Sequence, residues 1–122
     1  DSAYRLVGSE MCIRDSVEAE FKVIFRDRAT VFVSKPYFME VLPLGAGKGE
    51  ALKIIAEDIL GVGADRVMAF GDSMNDESMI RYAKLSVAMS NSRPEILSLA
   101  RFVTDRDNDD DGIADFLEKH VL

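Results

Sequence analysis

The pattern of apolar positions along these 122 residues changes near Lys48. Before it, Phe21–Phe25 (FKVIF) and Thr30–Ser34 (TVFVS) are short runs of β-branched and aromatic residues separated by polar RDRA, a pattern that predicts two strands. Tyr37–Leu42 is a third strand candidate, ended by Pro43 and by glycines 45, 47 and 49. Then Leu52, Ile55, Ala56, Ile59 and Leu60 follow i, i+3, i+4, i+7, i+8, with Lys53 and Glu57 off the stripe, which predicts an amphipathic helix ended by GVGAD.

Val67–Phe70 is continuously apolar, as a strand covered on both faces should be. A helix over Asn75–Ala83 and a strand over Ser86–Met89 follow. Ser92-Arg93-Pro94-Glu95 has the Ser-x-x-Glu spacing of a capping box, with proline in the first turn of a helix running to about Ala100. Phe102–Thr104 is a last short strand, and Ile113, Phe116, Leu117 and Val121 mark a final helix. From Lys48 onward the order is α-β-α-β-α-β-α with short links, which predicts a parallel sheet with helices on both faces.

The first sixteen residues, DSAYRLVGSEMCIRDS, follow neither period and lack the apolar stretch of a signal peptide. Leu6 to Ser16 resemble, in one frame, the translation of a transposase adapter used in preparing sequencing libraries. Residues 1–16 are therefore expected to be a non-native segment outside the fold, and the remainder a C-terminal fragment. Removing them also removes Cys12, the lone cysteine, and with it any redox argument.

Composition then narrows the function classes. Net charge is −7, or −6 without the first sixteen residues, which argues against nucleic acid or an anionic membrane as a partner. No apolar run approaches the ~20 residues of a membrane span. No Cys/His cluster of zinc spacing occurs. A cytoplasmic location is expected; the oligomeric state is not legible. Met68, Met74, Met79 and Met89 suit core filling, and His120, near a helix C-terminus, suits a cation at that end.

Two short segments carry candidate chemistry. Gly71-Asp72-Ser73-Met74-Asn75-Asp76 follows the buried strand directly, and open α/β sheets bind ligands beyond the carboxyl ends of their strands. A carboxylate such as Asp72 there suits Mg²⁺, which keeps waters and takes few protein ligands. Asn75 or Asp76 can equally serve as a helix cap. Gly45-Ala46-Gly47-Lys48-Gly49 opens the first long helix; its spacing is not that of a P-loop, but Lys48 could reach a phosphoryl group. By itself it reads first as a surface lysine in a flexible turn.

Taken in order, FMEVLPLGAGKGEAL, VMAFGDSMNDESMI, SVAMSNS and RFVT with its acidic Asp-Gly loop resemble the haloacid dehalogenase superfamily, specifically the Cof-type phosphatases, from about Phe21 to Leu122. The resemblance implies an α/β fold: the C-terminal half of a Rossmann-like parallel-sheet core over 43–122, preceded by the last strands of an α+β cap over 17–42. It implies Mg²⁺ as cofactor, small phosphorylated metabolites such as sugar phosphates as substrates, and transfer through an aspartyl-phosphate. By position, it implies that Lys48 is catalytic and neutralises the phosphoryl group, Asp72 and Asp76 belong to the metal site, and Asn75 contacts substrate phosphate. The family's nucleophile motif, Asp-x-Asp-Gly-Thr, does not occur in these residues. Asp27-Arg-Ala-Thr30 and Asp105-Arg-Asp107 imitate parts of it only. The chain alone is expected to be inactive.

Two other classes remain open. Asp107-x-Asp109-x-Asp111-Gly112, followed by Glu118, satisfies the EF-hand calcium-loop pattern, although a strand rather than a helix is expected to enter it. A non-catalytic interaction module of the same fold is the third reading.

Overall fold

The computed structural model describes residues 4–7, 11–35 and 38–122, with side chains from Ser16 onward. The chain divides into two compact units, one ending at Gly47 and one spanning Lys48–Leu122.

The first unit contains β1 (Tyr4–Val7), α1 (Met11–Phe25), β2 (Ala29–Lys35) and β3 (Phe38–Pro43). Its antiparallel sheet has the order β1-β3-β2. Val31 faces Val41 and Val33 faces Met39 across β2 and β3, and these four side chains form the buried core. Val17, Phe21 and Phe25 of α1 pack on it, with Phe21 and Phe25 edge to face at 5.7 Å.

Two expectations are corrected here. Phe21–Phe25 is not a strand but the last turns of α1. Val17, Phe21 and Phe25 recur every four residues and so share one helix face, whereas Val23 and Ile24 fall off that face and are exposed. The β-rich composition of the five-residue window hid this longer period. Likewise, residues before Val17, expected to lie outside the fold, supply ordered backbone to this unit. Tyr4–Val7 pairs with β3 along its otherwise open edge, Tyr4 opposite Val41 and Val7 opposite Phe38, and α1 begins at Met11. Tyr37, the expected start of the third strand, lies outside the described residues.

The second unit is the alternating part. Helix α2 (Lys48–Lys53) continues into a π-helical segment (Ile54–Ile59), and a 3₁₀ turn (Ala64–Arg66) leads to β4 (Met68–Gly71). A second 3₁₀ turn (Met74–Asp76) opens α3 (Glu77–Tyr82), followed by β5 (Leu85–Ala88), α4 (Pro94–Leu99), β6 (Phe102–Val103) and α5 (Gly112–His120). Strands β4, β5 and β6 lie side by side in that order and run parallel. Consecutive residues of β4 face opposite sides. Ala69 packs with Leu52 and Ala56 from the first helical segment, Met79 of α3 and Ala83 just after it. Phe70 meets Phe116 of α5 edge-on at 5.7 Å. The sheet thus carries helices on both faces, as the alternation predicts.

Two local expectations fail for geometric reasons. Of the stripe from Leu52 to Leu60 only Ala56 is buried; Ile55, Ile59 and Leu60 are exposed. The amide N–H of Leu60 bonds to the carbonyl of Ile55, and that of Val62 to the carbonyl of Ala56. This wider winding takes the side chains off a 3.6-residue stripe. Nor does Ser92 cap α4, whose N-cap is Arg93 with Pro94 at the first position. The Ser92 hydroxyl donates instead to the carbonyl of Gly71, 3.3 Å away.

Candidate active site

The site forms where β4 ends. Gly71 closes the strand, and a Cβ built there would stand 2.6 Å from Cβ of Asp76. Only glycine leaves the Asp76 side chain room to fold back under the turn. Ser73 and Asp76 form a reciprocal capping box at the start of the 3₁₀ turn. Through it, Oδ2 of Asp76 accepts the backbone N–H groups of Asp72 at 3.0 Å and Ser73 at 3.3 Å.

Lys48 reaches the same carboxylate from 28 residues upstream, its Nζ donating to Oδ1 of Asp76 at 2.5 Å. The close packing of α2 on α3 brings it there. The Gly49 N–H donates to the hydroxyl of Ser78 at 2.9 Å. A Cβ on Gly49 would lie 2.4 Å from the carbonyl carbon and oxygen of Ser78. The glycine beside the lysine is therefore a contact surface, not a flexible hinge.

Asp76 is 5% exposed. Burial alone would raise its pKa, but the Lys48 ammonium and the N–H groups of Asp72 and Ser73 outweigh it and hold the carboxyl below its ordinary 3.8. Asp72 goes the other way. Burial and the neighbouring Asp76 carboxylate raise its pKa above 3.8, with Lys48 opposing. Two carboxylates four residues apart thus have opposite environments, one neutralised within the chain and one left short of positive charge.

Lys48, Asp72, Asp76 and Asn108 supply the polar wall of a cleft of about 350 Å³. Phe70, Met79, Met89 and Ile113 supply much of the rest. Three of the four sequence-predicted site residues therefore meet in one cleft. Asn75 lies half-buried in the Met74–Asp76 turn and is not among the residues lining it. Asn108 is the addition: its Nδ2 donates to Oδ2 of Asp72 at 3.2 Å. The sequence signal for it is faint, an amide inside the acidic run Asp105–Asp111 just beyond a strand end.

The donor set suits a cation that takes a few oxygens and keeps its waters, since Asp72 presents a partly desolvated carboxylate in need of positive charge. It does not suit calcium held by six to eight protein oxygens. Among the described residues no group of three or more His, Cys, Asp or Glu side chains is arranged to hold a metal. The EF-hand pattern fares no better. Strand β6 precedes its loop, Asp107 Oδ1 accepts the N–H of Asp109 at 3.0 Å, and Glu118 is exposed on α5.

The profile of the haloacid dehalogenase-like hydrolases matches residues 10–117. The chain belongs to this family. Among hydrolases with related sequences, phosphatase YwpJ of Bacillus subtilis is 35% identical over 120 residues, covering 98% of this chain and 41% of its own length. The 5-amino-6-(5-phospho-D-ribitylamino)uracil phosphatase YcsE of the same bacterium is 42% identical over 89 residues, covering 73% and 35%. Among solved structures, the haloacid dehalogenase subclass IIB sugar phosphatase BT4131 superposes with a TM-score of 0.73 at 29% identity, over 84% of this chain and 39% of that one. The chain spans about two fifths of the length of these relatives. The α/β parallel-sheet fold and the Cof-type resemblance agree with them.

Proposed function

We propose that this chain supplies the lysine and metal-site portion of a Mg²⁺-dependent phosphatase that hydrolyses small phosphorylated metabolites such as sugar phosphates. The observation that carries this reading is the Lys48–Asp76–Asp72 cluster at the carboxyl end of a parallel strand, where a half-exposed ammonium and a carboxylate short of positive charge line one cleft. Relatives that act on phosphorylated small molecules support the substrate class.

In this mechanism Asp72 holds the cation, and Asp76 stands behind it. Three hydrogen bonds within the chain occupy Asp76, so its part is to fix Lys48 and the Asp72 turn rather than to contribute much direct coordination. A Mg²⁺ held by Asp72 would supply positive charge to offset that of the transferring phosphoryl group. Lys48 adds a second charge, held over the cleft by Asp76. Asn75, in the same turn, is assigned to substrate phosphate. The nucleophile is assigned to an aspartate outside these 122 residues; its attack on phosphorus would break the ester P–O bond, release the substrate's alcohol and leave an aspartyl-phosphate, which water would cleave to inorganic phosphate and the free carboxylate. Residues 17–42 are assigned to the end of a cap and 43–122 to the C-terminal half of the catalytic core.

Sequencing the source DNA upstream of the Val17 codon tests the reading. An in-frame Asp-x-Asp-Gly-Thr is expected. The longer product should hydrolyse sugar phosphates in Mg²⁺, and Asp72→Ala or Lys48→Ala should lower kcat at least ~100-fold. A longer product that is active and indifferent to both substitutions would refute the assignment.

A further inference from the structure

Loops from three different strands converge on Asp72. Asn91 follows β5, Asn108 follows β6 and Asp72 follows β4, so all three stand at the carboxyl end of the parallel sheet. Asn91 Nδ2 donates to Oδ1 of Asn108 at 2.6 Å, and Oδ1 of Asn91 accepts the backbone N–H of Asn108 at 3.4 Å. This two-point contact fixes which way the Asn108 amide faces. With its oxygen engaged by Asn91, its NH₂ is turned to Asp72, to which it donates at 3.2 Å. The backbone supports the same convergence: Ser90 N–H donates to the Thr104 hydroxyl at 3.0 Å, tying the β5 loop to the end of β6.

We propose that Asn108, oriented by Asn91, is a positioning residue that sets the angle of the Asp72 carboxylate toward the divalent cation. This rests on the reading of Asp72 as the metal carboxylate. The chemistry favours a neutral amide there. It donates to one carboxylate oxygen without neutralising the charge the cation needs, as a lysine would, and without repelling it, as the aspartates around it would. Asn108 sits in a run otherwise rich in aspartate, which makes the type of side chain, rather than the charge of the loop, the relevant feature.

The test uses Mn²⁺, an oxygen-binding substitute for Mg²⁺, and the loss of its free-ion electron paramagnetic resonance signal on adding this chain. Asn108→Ala is expected to weaken Mn²⁺ binding about tenfold, within the range for groups that orient a metal ligand. Asn91→Ala should weaken it by a smaller factor, and the double variant no more than Asn108→Ala alone, because Asn91 acts through Asn108. In the metal-free chain, the Asn108 side-chain NH₂ resonances should shift in both Asn91→Ala and Asp72→Asn. Unchanged Mn²⁺ affinity in Asn108→Ala, with Asp72→Asn still abolishing binding, overturns this inference and leaves the metal reading standing. Mn²⁺ binding indifferent to Asp72→Asn overturns both. NH₂ resonances that ignore Asn91→Ala and Asp72→Asn overturn the relay whatever the affinities.

Discussion

Lys48 Nζ lies 2.5 Å from Oδ1 of Asp76, joining the first residue of α2 to the turn before α3 across 28 positions of sequence. The pair is asymmetric: Lys48 is half exposed, whereas the Asp76 side chain is 6% exposed. The lysine end therefore remains available to a ligand while the carboxylate end is anchored by backbone amides.

That asymmetry predicts unequal losses. Lys48→Met should cost about 1 kcal/mol or less, because the lysine is solvated and the pair screened. Asp76→Ala should cost about 2–3 kcal/mol, because it strips the Asp72 and Ser73 N–H groups of their acceptor. Urea denaturation of the two variants checks the order, and a larger loss for Lys48→Met would contradict it.

The opposed carboxylates predict opposed pH limbs. The depressed pKa of Asp76 gives stability that is present above its unfolded value, near 3.8, and lost as pH falls through the lower folded value. Asp72, with its raised pKa, binds its proton more tightly when folded, so it lowers stability as pH rises from about 3.8 through the folded value. In metal-free buffer at pH 7, Asp72→Asn should therefore be more stable than the parent chain and should lose that upper limb. Equal or lower stability in denaturant titrations at pH 7 would contradict this assignment of a raised pKa to Asp72.

Gly49 and Gly71 should tolerate nothing larger. Ala at either position brings a Cβ to 2.4 Å of Ser78 or 2.6 Å of Asp76. Each substitution is expected to destabilise by about 1–3 kcal/mol, the scale of overpacking. Gly71→Ala should also perturb the Lys48–Asp76 pair, visible as a change in the Asp76 carboxyl titration by NMR; an unaltered titration would show that the turn accommodates the methyl group.

Much of this was legible in the sequence. The parallel pairing of β4, β5 and β6 follows from the alternation of short apolar runs with helical stripes, whereas Lys48, Asp72 and Asp76 are singled out by the family resemblance, since their glycine-flanked segments alone also read as a surface lysine and a helix cap. The α1 helix was not legible from Phe21–Phe25 alone, since local composition favours strand and the four-residue recurrence begins at Val17. Asn108 was hidden for a different reason. Its partner Asp72 is 36 residues away, and no local period marks a contact made between loops. Asn75 shows the converse limit: its position in the motif is clear, yet it is not among the residues that line the cleft.

Calcium offers a clean negative expectation. Because β6 precedes the acidic loop and Glu118 stays exposed, a calcium titration should find no sub-millimolar site, and Glu118→Ala should change nothing. Calorimetric binding lost on that substitution would restore the EF-hand reading.

The most direct test of the central claim is a Mg²⁺ titration of this chain followed by amide NMR. Shifts centred on Asp72, Ser73, Asp76 and Asn108 that disappear in Asp72→Asn are expected. Shifts centred instead on Asp107–Asp111 that survive Asp72→Asn would contradict it.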